Sequence, residues 1–253
     1  MLIKTIKREK LDTFVYDTRA EMGAAAAKEA ANAINAVLEE KEFANVIFAA
    51  APSQNETLAS LLKENVDFTR VNAFHMDEYA GLSIENEQSF ARYLNDHIFS
   101  KAPFASVNYI PAKGDPDKSC EEYAKLLNEY KPDVVCMGIG ENGHIAFNDP
   151  PVADFNDPKL IKKVELDEVC RMQQVHDGCF PTFDDVPKYA LTLTVPALMS
   201  AKYLICTVPA PTKANAVKAM LDGEYGEACP ATALRKHQGA KMFLDKDSAD
   251  LVL

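Results

Sequence analysis

A chain of 253 residues that is 47% hydrophobic and 26% charged holds enough material for one large α/β domain or two small ones. Its 27 basic and 38 acidic side chains leave a formal charge of −11, which repels nucleic-acid backbones and anionic lipid but admits a phosphorylated metabolite, because a few local donors override a salt-screened field. No apolar run reaches the roughly 18 residues of a membrane span, Met1 to Lys10 lacks a signal-peptide core, and none of the six cysteines forms a C-x-x-C, so a reduced, cytoplasmic protein is expected.

Strand-length apolar runs alternate with helical patterns along the chain. Asp17 and Thr18, followed by Glu21, cap an Ala-rich helix expected to reach about Glu40. Phe43 to Ala50 reads as a buried strand, followed by a helix to about Asn65 and a strand from Arg70 to Phe74. Gln88 to Phe99 carries Phe90, Tyr93, Leu94, His97 and Ile98 on one helical stripe. A short strand at Val107 to Ile110, a helix from Pro116 to Tyr130 and an apolar strand from Asp133 to Ile139 come next. Asp149 to Tyr189 breaks the alternation with Pro150, Pro151, Pro158, Pro181 and Pro187, and is expected to be an irregular flap over a site. Strands at Leu191 to Val195, Tyr203 to Val208 and Met242 to Leu244 close the chain, with a short helix opened by Pro196 and another from Thr212 to Leu221 between them. Strands separated by helices require parallel crossovers, so the expected fold is α/β: one domain over residues 1–253, built on an open, mostly parallel, Rossmann-like sheet with helices on both faces. Cys136 and Cys206 fall inside strands, where a thiol acts as a small hydrophobe.

In such sheets ligands bind beyond the carboxyl ends of the strands, and four of those ends carry reactive or anion-binding side chains. Asp77 and Glu78 follow the Arg70 to Phe74 strand; as neighbours in an extended segment they point different ways, so at most one faces the cleft. Gly138, Gly140 and Gly143 let a loop backbone approach a ligand, and His144 follows directly, with the Asp149 carboxylate five residues on. An imidazole oriented by a carboxylate is an acid–base pair suited to neutral pH. The glycines fit a G-x-G-x-x-G spacing, but no acidic residue about 20 positions on closes a strand, so a dinucleotide site is unsupported. Pro209 to Lys213 opens a helix with free amides and a lysine, an anion site in outline. Ser53, with Glu56 three residues on, forms a helix capping box that needs no ligand to explain it.

Together these segments resemble the glucosamine-6-phosphate deaminase (isomerase) family, whose superfamily includes 6-phosphogluconolactonases. The family pattern M-D-E-Y-x-G-L is matched by Met76 to Leu82, and the loop G-[IV]-G-x-[ND]-G-H-I-[AG]-F-N-E-P by Gly138 to Pro150, while Val186 to Thr192 extends the likeness over most of the chain. The resemblance implies an aldose–ketose isomerising deaminase of an amino sugar phosphate, converting glucosamine 6-phosphate to fructose 6-phosphate and ammonia without metal or organic cofactor. It implies Asp77 as the base moving a proton from carbon 2 to carbon 1, and His144 opening the ring, oriented by Asp149 and Asn142. Ser53, Gln54, Asn55, Glu78, Gly140, Gly143, Arg171 and Lys213 are the implied substrate contacts.

Several positions depart from the family pattern. Asp149 stands where members carry Glu, and Ser53 to Glu56 replaces a Gly-containing phosphate loop with one bearing a negative charge. The family's flap arginine falls near Asp177, leaving Arg171 as its only nearby substitute. Lys213 keeps its place. The reaction centre therefore reads as intact and the phosphate handle as rebuilt. A lactonase-like hydrolase is disfavoured because the loop reads G-H-I-A-F-N-D-P, and a catalytically silent sugar-phosphate sensor because Asp77 and His144 are both present. Pocketed α/β enzymes often form homo-oligomers, but no feature of this chain fixes a copy number.

Overall fold

The computed structural model describes all 253 residues. A hairpin opens the chain, β1 (Leu2–Arg8) pairing antiparallel with β2 (Leu11–Tyr16). Helix α1 (Arg19–Glu40) follows, its first turn capped by the Thr18 hydroxyl accepting from the Glu21 amide. Then come β3 (Ala44–Phe48), α2 (Asn55–Leu61), β4 (Val71–His75) and the short β5 (Asp77–Tyr79). Helix α3 (Phe90–Leu94) continues as a π-turn over Asn95–Phe99, and β6 (Ser106–Asn108) and α4 (Pro116–Tyr130) complete the first half. The second half runs β7 (Val134–Met137), β8 (Ile161–Glu165), α5 (Glu168–His176), β9 (Tyr189–Leu193), α6 (Val195–Met199), β10 (Tyr203–Val208), α7 (Ala214–Asp222) and β11 (Ala240–Asp245). No helix is long and apolar enough to cross a membrane.

Eight strands form one sheet in the order β1-β2-β11-β10-β7-β3-β4-β6, parallel throughout except for the β1–β2 hairpin. Both faces are buried, because alternate residues enter opposite cores. Val135 and Met137 of β7 join one cluster with α4, α6 and α7, while Val134 and Cys136 join the other with α1, α2 and α3. That is why the central strands read as continuous apolar runs. The fold expectation holds on these points.

The chain steps from β3 outward to β4 and β6, then returns to β7 on the other side of β3. The crossovers therefore diverge between β3 and β7, and a crevice opens at the carboxyl ends of these two strands. The four strand ends singled out from the sequence belong to β4, β3, β7 and β10, which are four consecutive strands of the sheet. Their loops converge for that reason alone.

A second, three-stranded antiparallel sheet, β5-β9-β8, stands over that edge. The stretch 149–189 contributes β8 and α5 as regular pieces despite its prolines, and brings Gln173, Gln174, Asp177 and Cys179 to the crevice. Other sequence boundaries shift modestly: the helix after β3 ends at Leu61 rather than near Asn65, and β2, β5, β8 and α5 carried no separate pattern.

Helices α1 and α2 cross closely at Gly23, where a Cβ would collide with the Cβ of Glu56. Replacing Gly23 by leucine must push α2 away from α1, and α2 begins directly after the Ser53–Gln54 turn. Gly23→Leu is expected to cost about 1–3 kcal/mol, the usual range for overpacking, read as a lowered urea midpoint at unchanged m-value.

Candidate active site

The crevice is lined by residues from all four strand ends, among them Ala49 to Gln54 after β3, Met76 and Asp77 after β4, Gly138 to Gly140 and His144 after β7, and Lys213 after β10. Asp77 and His144 thus face one cavity, and each is held there by backbone geometry.

Asp77 lies opposite Thr192 in the β5–β9 ladder. Its carbonyl accepts from His75 Nδ1 at 2.9 Å, and the other ring nitrogen of His75 accepts the Ile110 amide at 2.8 Å. Burial lowers the His75 pKa to about 4, so the imidazole is neutral with its proton on Nδ1. The Asp77 carboxyl receives no hydrogen bond from any protein group and shares its wall with Met76, Phe90 and Phe147. Burial, with the neighbouring Glu78 charge, pushes its pKa well above the ordinary carboxylate range.

Glu78 points the other way. Its oxygens accept the amides of Tyr79, Phe90 and Ala91 at 2.9, 3.0 and 2.8 Å, capping α3. Burial pushes its pKa up to about 7 against the pull of those amides. It does not line the crevice, so its expected substrate contact gives way to a capping role.

The β7 loop turns on Gly143, whose amide donates to the Gly140 carbonyl at 3.0 Å with φ at +84°. Gly140 then donates to the His144 carbonyl at 2.9 Å, and any Cβ on Gly140 would overlap the imidazole. Asn142 shapes the turn by accepting the His144 amide at 3.0 Å and donating to Asp149 at 3.0 Å. His144 Nδ1 lies 2.8 Å from Asp149 Oδ1. Burial works to raise the Asp149 pKa, but the His144 charge and hydrogen bonds from His144, Asn142 and Cys170 together hold it below the ordinary range. The shorter Asp arm therefore reaches its imidazole. Two carboxylates in one site are driven in opposite directions, an arrangement that separates a proton-accepting group from a permanently ionised partner.

Lys213 is 4% exposed and lines the crevice; burial lowers its pKa, while Asp177 and Glu141 work to raise it. Ser53 and Gln54 also line it, and Gln54 Nε2 donates to the Thr207 carbonyl at 3.2 Å. Glu56 neither closes the expected capping box with Ser53, since α2 starts without a side-chain cap, nor repels a ligand, because it pairs with Arg19 at 2.8 Å outside the lining. Asn55 meets the Tyr93 hydroxyl, and Gly143 supports the turn without lining the cavity. Arg171 is a correction of substance: its guanidinium donates to the carbonyls of Phe183 and Val186 at 2.8 and 2.9 Å and stacks over the Phe183 ring. Burial satisfied by backbone carbonyls holds it away from the crevice.

Sequence reading passed over Gln173, Gln174, Asn148 and Thr192. Gln173 accepts the Glu141 amide at 2.8 Å, and Gln174 accepts the Tyr79 hydroxyl at 2.7 Å. Asn148, fully buried, donates to the carbonyls of Ile145 and Leu193 at 2.9 and 2.8 Å. The Thr192 hydroxyl accepts the Phe147 amide at 3.0 Å. The family matches of Gly138 to Pro150 and Val186 to Thr192 include Asn148 and Thr192, whereas no pattern marked Gln173 or Gln174.

Residues 17–243 match the family model described as glucosamine-6-phosphate isomerases/6-phosphogluconolactonase. A Bacillus cereus protein named glucosamine-6-phosphate deaminase is 34% identical over 220 residues, covering 86% of this chain and 82% of its own, and a Bacillus thuringiensis protein of the same name matches equally. A solved monomeric glucosamine-6-phosphate deaminase superposes with a TM-score of 0.86 at 30% identity, covering 94% of this chain and 99% of that one. A 6-phosphogluconolactonase from Thermotoga maritima superposes with a TM-score of 0.77 at 21% identity over 94% of this chain and all of that one, a likeness of fold alone.

Two outcomes follow from the geometry. Gly140→Ala should displace the imidazole and lower kcat/KM by about 100-fold, the cost of roughly an ångström of misplacement, with little change in urea midpoint. Asp77 holds its proton more tightly folded than unfolded. Its contribution to stability is thus complete below the ordinary carboxylate range, and lost as pH rises through the elevated folded value. Asp77→Asn should therefore melt higher than the parent at neutral pH, by about 2–4 °C per kcal/mol at this size, and lose that advantage towards about pH 4. An unchanged or lower melting temperature at pH 7 would contradict this reading of the Asp77 environment.

Proposed function

The chain belongs to the glucosamine-6-phosphate isomerase/6-phosphogluconolactonase family, and on that footing we propose that it is a glucosamine-6-phosphate deaminase whose chemistry runs between Asp77 and His144. The observation that carries this reading is the convergence of an unpartnered, buried carboxyl and a carboxylate-oriented imidazole on one crevice. Its deaminase relatives supply the substrate class, an amino sugar phosphate.

In the first step His144 takes the proton from the anomeric hydroxyl and returns one to the ring oxygen, opening the pyranose to the aldehyde. Asp149 stabilises the imidazolium formed in passing. Asp77 then removes the proton on carbon 2 while oxygen 1 takes a proton from solvent, giving an enolamine. A base works best when its pKa lies near the working pH, so the upward displacement of Asp77 suits carbon-acid chemistry that an ordinary carboxylate performs poorly. The same carboxylic acid delivers its proton to carbon 1, leaving a protonated ketimine at carbon 2, whose extra proton returns to solvent on hydrolysis. Water adds to that imine carbon, the carbon–nitrogen bond breaks, and fructose 6-phosphate and ammonia leave. The balance is one sugar phosphate and one water in, one ketose phosphate and one ammonia out.

We assign the phosphate end to Lys213 and the Ser53–Gln54 turn, which line the cavity together. Lys213 is the one lysine or arginine among the lining residues, and Asp177 stands beside it as an opposing charge. The handle is thus weaker than one built on arginine and glycine amides, and binding of the phosphate depends on a single cation.

Ammonia release from glucosamine 6-phosphate, galactosamine 6-phosphate and unphosphorylated glucosamine tests the whole reading. Turnover of glucosamine 6-phosphate is expected, with Asp77→Asn and His144→Gln each losing at least about 100-fold in kcat. Lys213→Ala should act mainly through KM, raising it by about 10-fold or more for the phosphorylated sugar. No ammonia from any of the three sugars would remove the deaminase assignment, and full activity in either catalytic variant would remove that residue from its role.

A further inference from the structure

Behind the crevice wall, three side chains from two segments meet. His144 and Asp149 lie five residues apart in the loop that follows β7, and Cys170 lies in the first turn of α5. One ligating atom from each lies within 4.8 Å of the other two, and all three residues are buried. Asp149 ties the other two together: His144 Nδ1 sits 2.8 Å from its Oδ1, and the Cys170 thiol also reaches its carboxylate. Asp167 stands just outside, accepting the Cys170 amide at 2.6 Å and the Asn142 side chain at 3.2 Å.

An imidazole nitrogen, a carboxylate oxygen and a sulfur are the donors that a borderline divalent ion such as zinc prefers, whereas calcium and magnesium seek oxygen alone. Tetrahedral zinc places such donors about 3.4–3.6 Å apart, given bonds of about 2.0–2.3 Å. His144 also lines the crevice, so the trio lies directly behind that opening.

We propose that His144, Asp149 and Cys170 form an inhibitory site for a zinc-like divalent cation, which captures the Nδ1 face of the imidazole and withdraws it from proton transfer. Binding converts the Cys170 thiol to a metal-bound thiolate and releases its proton to solvent. No electron is transferred, so the event is reversed by a chelator. The inhibition rests on the proposed role of His144, whereas the binding rests on the three side chains alone.

Cobalt(II), titrated into the full chain as a spectroscopic stand-in for zinc, separates the two. We expect a thiolate-to-cobalt charge-transfer band saturating at one equivalent, displaced by zinc and untouched by magnesium. Cys170→Ser should abolish the band, with Cys170→Ala as the second variant should the serine hydroxyl unsettle the buried position. Cys179→Ser and Cys229→Ser should keep it. Zinc should inhibit ammonia release from glucosamine 6-phosphate, EDTA should restore it, and Cys170→Ser should need at least about 10-fold more zinc for the same inhibition. A band that survives loss of Cys170, or no band at all, overturns the site. A Cys170-dependent band with undiminished turnover overturns the inhibition and points to a fault in the role given to His144.

Discussion

The arrangement depends on one residue of the small sheet, Thr192. Its backbone lies opposite Asp77 in the antiparallel ladder, and its hydroxyl accepts the Phe147 amide at the end of the His144 loop. Buried Asn148 adds a second tie from that loop to the carbonyl of Leu193. The two reactive segments leave different strands of the main sheet, yet both are hydrogen-bonded to the same short strand. A hydrogen bond to a buried backbone group left without partner costs about 1–3 kcal/mol, so neither segment shifts freely relative to the other. The spacing between base and imidazole is therefore built into secondary structure, which is more rigid than a pair of independent loops.

Within that frame the protein gives three acidic residues three different electrostatic fates. Glu78 is satisfied by backbone amides and caps a helix. Asp149 is ringed by donors and stays ionised beside its imidazole. Asp77, walled by Met76, Phe90 and Phe147 with no donor of its own, is held unstable as an anion. An unpaired buried charge is among the most expensive features a fold can carry. Its retention at the crevice costs stability, and that cost accords with the role proposed for Asp77. The same logic explains the neutral His75 beneath it, which fixes the Asp77 peptide without adding a charge.

The far end of the crevice follows a different rule. Where a glycine-rich turn would let backbone amides approach an anion, this chain has a turn with side chains, and Arg19 neutralises the glutamate beyond it. Arg171, the one arginine within the stretch 149–189, is committed to holding Phe183 and Val186. Lys213 is thereby left as the one lysine or arginine lining the crevice, with the opposing charge of Asp177 beside it.

Much of this was legible in the amino-acid order. Continuous apolar runs between helical stripes specified a parallel sheet covered on both faces, since a strand buried on both sides needs no polar alternation. The Met76 to Leu82 and Gly138 to Pro150 segments carried the family likeness and pointed to Asp77 and His144. Other features were decided only in three dimensions. Which of two adjacent carboxylates faces the crevice depends on the pairing of β5 with a strand more than 100 residues away, a contact no local pattern encodes. The places of Arg171, Gln173 and Gln174 depend on α5, whose stretch reads as irregular because its prolines and polar residues hide a helix stabilised from outside. Local spacing determines periodicity and turn chemistry; the environment that sets a side chain's charge is assembled from distant segments and exists only once they pack.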